Sequence, residues 1–160
     1  MKLSKIFVLF LTTICLTSCN PKPFKKVIFN YTANPQLLKI SGKELYNLAI
    51  TSTKSLAVFY SVEGCAGCNA LKEQMKAYAK KESCNIYYVD MTTIQKEDYN
   101  YVVDASVYAN SYHEFPAYGQ TLTLPFMDIY AYQGIVWRFN DQFIDYLLKY
   151  AETAKPNSSK

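Results

Sequence analysis

Histidine and arginine are almost absent from this chain: one of each stands among 160 residues. A zinc centre needs four ligands, commonly two cysteine pairs or cysteines joined by histidines. Beyond one pair of cysteines, and leaving aside Cys15 and Cys19 at the amino end, the chain offers only His113 and Cys84 as soft ligands, so no metal is expected. A lone histidine also gives little support for a histidine base, and His113 reads as a solvent-facing loop residue. Excess charge of one sign is lacking too. Discarding residues 1 to 18 removes Lys2 and Lys5, and the 17 basic residues fall to 15 against 13 acidic ones. That balance gives no case for a nucleic-acid partner, for which a strongly basic face is expected. No apolar run is long enough to span a bilayer: Ile6 to Leu16 would cover ~17 Å of a ~30 Å hydrocarbon core as a helix. No internal repeat and no second domain boundary appears. With hydrophobic residues at 50%, the chain reads as one globular domain with appendages.

Five cysteines are present, and they sort by position. Cys15 lies inside an apolar leader that follows the basic start Met1-Lys2-Leu3-Ser4-Lys5, the form of a secretory signal peptide. Cys19 closes that leader, Cys65 and Cys68 make a C-x-x-C pair, and Cys84 stands alone as a small hydrophobe before a strand. Only one mature pair has a local partner, so this is not a disulfide framework. The stretch Leu16-Thr17-Ser18-Cys19 resembles the lipobox of bacterial lipoproteins. The resemblance implies cleavage before Cys19, a lipid on its sulfur, and anchorage outside the cytoplasm on a bacterial cell membrane or in a periplasm. More than one acyl chain would hold the protein firmly. A tether is expected over 19–36, and within it Asn20 to Lys26 is polar and broken by Pro21 and Pro23, which makes that part semi-rigid. Val27-Ile28-Phe29-Asn30-Tyr31 has the composition of an edge strand, and the sequence leaves open whether it packs on the domain.

The domain proper is expected over 37–154. Leu37 to Ile40 is a short β-like run, and Ser41-Gly42-Lys43-Glu44 has the form of a capping box ahead of Leu45, Leu48 and Ala49 at helical spacing. Ser55 to Tyr60 is a continuous apolar run, as in a strand covered on both faces. From Cys65, Leu71, Met75, Tyr78 and Ala79 recur at intervals of three and four, the inner stripe of a helix. Asn85 to Met91 reads as a strand, and Lys96 to about Tyr112 as a helix with Val102, Ala105 and Ala109 inward. Phe126 to Tyr132 and Ile135 to Phe139 read as two strands about Gln133-Gly134. A closing helix is expected from about Asp141, with Phe143, Ile144, Leu147, Leu148 and Ala151 on its apolar face. A polar tail follows over 155–160.

Cysteines at this spacing can close across one helical turn and reopen, carrying two electrons. A thiolate is the attacking species. Cys65, at the helix start, gains from unpaired amides and the dipole's positive end; Cys68, a turn inward, is the resolving thiol. The same spacing also fits an inert staple or half of a zinc site. The element order around the pair, the C-x-x-C after a central strand, Pro125 opening the penultimate strand and the terminal hairpin together resemble the thioredoxin-like family. The resemblance implies an α/β fold with a central mixed sheet, helices on both faces, and an inserted helix and loop before a cis-proline. It further implies that Leu124-Pro125 is cis, with the Leu124 backbone pairing an incoming substrate strand. Pro116 is the competitor for that place. The family's buried carboxylate, six residues before the first cysteine, is replaced by Phe59, and the family's tryptophan before the motif by Gly64. Ala66-Gly67 matches neither common redox dipeptide, so the direction of electron flow is open.

The expected function is a lipid-anchored thiol–disulfide oxidoreductase without a bound cofactor. Its partners would be exported proteins bearing thiols or disulfides, and a membrane or extracytoplasmic redox protein that resets it. A narrower version is a reductase dedicated to cytochrome c maturation, or an accessory factor for one secreted peptide. The alternative of another class is a redox-inactive or metal-handling lipoprotein that uses the fold as a binding module.

Overall fold

The computed structural model of the chain describes residues 27–108, 115–120, 124, 126–131, 135–139 and 151–154. In chain order these form β1 (Val27–Asn30), β2 (Leu37–Lys39), α1 (Gly42–Thr51), β3 (Leu56–Ser61), α2 (Ala66–Glu82), β4 (Ile86–Asp90), α3 (Lys96–Tyr108), β5 (Phe126–Ala131), β6 (Ile135–Phe139) and β7 (Ala151–Ala154). Every residue of β3 is buried, which requires a strand flanked on both edges and covered on both faces. β4 lies parallel along one edge and β5 antiparallel along the other. With β2 parallel beyond β4 and β6 antiparallel beyond β5, the order is β2-β4-β3-β5-β6.

Side-chain alternation along β3 builds two cores. Ala57 and Phe59 turn to one face, where with Ile86, Met127 and Ile129 they meet Met75, Tyr78 and Ala79 of α2. Leu56, Val58 and Tyr60 turn to the other, where Leu45 of α1 and Val102 and Ala105 of α3 close over them. Burying each large apolar side chain contributes about 1.5–3 kcal/mol, so both layers are anchored through the same central strand. The molecule is therefore α/β, with a mixed sheet between helices on both faces.

The capping box is present: Ser41 Oγ accepts from the Glu44 amide and the Glu44 carboxylate accepts from the Ser41 amide. A second cap comes from another helix. The Asp98 carboxylate of α3 accepts from the amides of Gly42 at 2.8 Å and Lys43 at 3.0 Å. The two helices approach so closely here that a Cβ on Gly42 would lie 2.0 Å from the Asp98 carbonyl oxygen.

The stretch 27–31 packs on the domain. Val27 and Phe29 are 0% and 2% exposed, within the same cluster as α2. β1 pairs parallel with β7 as a separate two-stranded sheet, and the Ser55 amide donates to the Ile28 carbonyl at 2.9 Å. The packed unit thus takes in residues that the sequence assigns to the tether. The closing helix needs correction at its end: Ala151, expected on a helical face, stands in β7 opposite Val27. Ala and Glu in 151–154 favour helix locally, but β1 offers unpaired backbone groups, and tertiary pairing overrides so weak a preference. Residues 140–150, which hold the rest of that expected helix, lie outside the described residues, as do the turn at 132–134, Ala109 and His113.

Candidate functional site

β3 delivers the chain to the carboxyl end of the parallel strands. Val62 and Glu63 leave the sheet, Gly64 turns the backbone at φ +75°, and α2 starts at once. The left-handed turn suits a residue without a Cβ. Cys65 is the N-cap of α2, and its Sγ accepts from the Cys68 amide at 3.1 Å. A sulfur thus takes the place of the Ser, Thr or Asp oxygen that usually satisfies this orphan donor. No acidic residue stands in the first turn of α2, so the positive end of the dipole faces the sulfur without a competing carboxylate in that turn.

Cys65 and Cys68 are joined by a disulfide with Cα atoms 5.2 Å apart, within the ordinary span. The two sulfurs differ in access. Cys68 is fully buried, whereas Cys65 is half-buried between exposed Gly64 and exposed Ala66 and Gly67. A partner from solvent can reach only Cys65. Cys84 is separate from this pair: it lies in the core just before β4, and burial pushes its thiol up to about 11, with Thr153 pulling the other way. A thiol so protonated is a poor nucleophile.

The position six residues before Cys65 is Phe59, within the apolar layer beneath α2. The one fully buried carboxylate among the described residues, Asp128, sits elsewhere. It stands opposite Val58 and Arg138 in register, between Met127 and Ile129, which face α2. Asp128 therefore belongs to the α1–α3 face, across the sheet from Cys68. Glu63 is exposed. What the structure holds firmly is its backbone: the Glu63 amide donates to Thr92 Oγ1 at 2.7 Å.

Beside the cysteine loop lies a half-open cleft of about 290 Å³. Its place follows from topology. The connection from β3 leaves over one face through α2, and that from adjacent β4 leaves over the other through α3. Neighbouring strands that part in this way open a crevice at their carboxyl ends. Val62, Met91, Ile94, Tyr99, Tyr118 and Leu124 supply most of the wall. The Tyr99 hydroxyl donates to the Pro116 carbonyl and that of Tyr118 to the Ile94 carbonyl at 3.1 Å. The Gln120 side-chain oxygen accepts from the Ala117 amide at 3.1 Å. These polar atoms are spent on holding 115–120 in place, and among the described residues no charged one lines the cleft, so the described part of its surface is neutral and largely apolar.

Of the residues singled out from sequence, the structure brings Cys65 and Cys68 together. Leu124 is half-buried in the cleft wall and packs on the α1–α3 core. Pro125 and Cys19 lie outside the described residues. β5 begins at Phe126 opposite Tyr60, so the strand does start at the cysteine end of the sheet. Pro116 serves as an acceptor for Tyr99. Sequence reasoning missed Thr92 and Asp90; the available signal was Asp-x-Thr just past a strand, a common local hydrogen-bonding turn. No family model matches the chain, and no curated protein matches it.

Proposed function

We propose that this chain is a thioredoxin-like thiol–disulfide oxidoreductase, lipid-anchored through Cys19 outside the cytoplasm, that exchanges disulfides with exported proteins. The observation that carries the reading is the asymmetry of the pair. One sulfur is accessible at a helix N-terminus and the other is buried a turn below it. An inert staple has no need of that arrangement; a two-step exchange does. Strand order and direction support the reading as well, because the resemblance implies a C-x-x-C helix that follows the central strand of such a mixed sheet.

In the reducing direction the Cys65 thiolate attacks one sulfur of a substrate disulfide. A mixed disulfide forms and the substrate's other sulfur departs as a thiolate. Cys68 then loses its proton and attacks Cys65 Sγ. The Cys65–Cys68 bond closes, the substrate's remaining sulfur leaves, and two electrons have passed to the substrate. The oxidising direction is the same sequence reversed, with an extracytoplasmic thiol or disulfide partner resetting the pair. The neutral cleft beside Val62 would receive substrate residues next to the reacting cysteine, with the Leu124 backbone at its edge. β1 meets the amino end of β3 through Phe29 and Ser55, so a chain held at Cys19 would join the domain at the pole opposite the cysteines. The reacting pair would then face away from the membrane, toward soluble exported proteins.

The test uses Cys68→Ala and Cys65→Ala variants mixed with a small protein that carries one accessible disulfide. Cys68→Ala is expected to accumulate a mixed disulfide through Cys65 that dithiothreitol releases, and Cys65→Ala none. Absence of an adduct on Cys68→Ala, or equal adducts on both, would refute the reading.

A further inference from the structure

We propose that Thr92 and Asp90 form a latch that holds the Glu63 backbone and so positions Cys65 at the α2 N-terminus when the disulfide is open; this rests on the exchange reading above. The latch is a directed chain of hydrogen bonds from β2 to the cysteine loop. The Lys39 ammonium donates to Asp90 Oδ2 at 2.9 Å. Asp90 Oδ1 accepts twice from Thr92, from its amide at 3.0 Å and its hydroxyl at 2.7 Å. With the Thr92 hydrogen committed to Asp90, its oxygen is left as an acceptor, and the Glu63 amide donates to it at 2.7 Å. A single hydroxyl cannot be turned away from Glu63 without breaking its bond to the carboxylate.

The loop has few other restraints. The Met91 amide donates to the Ser61 carbonyl at 2.7 Å, which fixes the end of β3 but not the residues beyond it. Gly64, next after Glu63, has nothing within 4 Å of where a Cβ would stand, and glycine itself imposes little conformational preference. In the oxidised form the covalent bond to Cys68 keeps Cys65 at the helix end. In the reduced form that bond is gone; the Asn69 amide still donates to the Cys65 carbonyl at 3.1 Å from the helix side, and on the other side the Thr92–Glu63 contact is the restraint that survives two residues before the nucleophile. The latch therefore matters most in the state that attacks. Desolvation pushes the Asp90 carboxyl up, but Thr92 and Lys39 outweigh it and hold it down at about 2, so Asp90 stays charged throughout the range in which thiols titrate.

The experiment compares full-length wild type, Thr92→Val and Thr92→Ser in the reduced form. The readout is the rate of Cys65 alkylation against pH, located by mass spectrometry. Thr92→Val keeps the branched shape and removes both hydroxyl bonds. Its profile is expected about half a pH unit to the alkaline side, about threefold slower alkylation on the acid limb, while Thr92→Ser follows wild type. An unchanged profile in Thr92→Val, or an equal shift in Thr92→Ser, would overturn the latch. Hydrogen exchange in the wild type tests it without mutation: the Glu63 amide should be protected in both oxidised and reduced protein, and free exchange in the reduced form would also overturn it. A Cys65–Cys68 pair that fails to cycle in wild type would sink the exchange reading instead, and the hydroxyl dependence of Cys65 alkylation would still decide the latch.

Discussion

Replacing Gly42 by alanine should destabilise the domain without touching the chemistry of the cysteines. Two effects oppose each other. Alanine reduces the conformational freedom of the unfolded chain, which stabilises by about 0.4–1 kcal/mol wherever the native geometry accepts a methyl group. Here it does not. The methyl carbon would sit 2.0 Å from the Asp98 carbonyl oxygen and 3.0 Å from Val102 Cγ2, where ordinary contact begins near 3.4 Å. α1 and α3 would have to part by about 1.4 Å, the difference between those distances. Overpacking of this kind costs about 1–3 kcal/mol. The same displacement would stretch the 2.8 Å and 3.0 Å bonds from the Gly42 and Lys43 amides to Asp98, and each such charge-assisted bond contributes about 1.5–3 kcal/mol. Partial loss brings the expected total to about 2–4 kcal/mol. Urea unfolding followed by circular dichroism should show a lower midpoint at unchanged slope. Because α1 and α3 cover the face away from α2, exchange of Cys65 with a small-molecule disulfide, which does not need the cleft that Tyr99 of α3 lines, should stay within twofold of wild type, roughly the effect of ~0.4 kcal/mol on a barrier. A Gly42→Ala protein as stable as wild type would refute the close-approach argument.

Cys84 should resist alkylation in the native protein and react only on unfolding. Its thiol is raised to about 11 by burial from an unfolded value of about 8.5. The folded state therefore keeps its full stability below about 8.5 and loses this contribution as pH rises through about 11. Cys84→Ala should lessen that alkaline loss in a pH series of thermal unfolding, and an unaltered series would count against the assignment. Cys19→Ala should block lipid attachment and leave an unprocessed or soluble product; a variant processed and membrane-bound like wild type would contradict the anchor.

Local periodicity made most of the central architecture legible. The Ser55 to Tyr60 run reads as a strand covered on both faces, and β3, Leu56–Ser61, is that strand. The stripe Met75, Tyr78, Ala79 and the Ser41–Glu44 capping box are likewise properties of a few consecutive residues, so the sequence displays them directly. What it hides is contact between distant segments. Asp98 caps α1 from α3, and nothing in the sequence near Ser41 announces it. β1 and β7 each look marginal alone, and become strands because Val27 to Asn30 and Ala151 to Ala154 pair across nearly the whole chain. The candidate site divides in the same way. Cys65 and Cys68 are a local pattern and were found by spacing, whereas Thr92 reaches Glu63 from the end of another strand. The sequence shows Phe59 where the resemblance implies a carboxylate, but only the register of β5 shows that Asp128 lies on the other face of the sheet.

The central claim is that Cys65–Cys68 is an exchanging redox couple, and equilibrium redox titration of the purified protein tests it most directly. The fraction of the pair reduced would be measured by thiol mass labelling across glutathione and dithiothreitol buffers. The account predicts a reversible two-electron transition at a midpoint between about −120 and −270 mV, the span of thiol–disulfide exchangers. A pair that stays oxidised until below about −300 mV, as structural disulfides do, would contradict it.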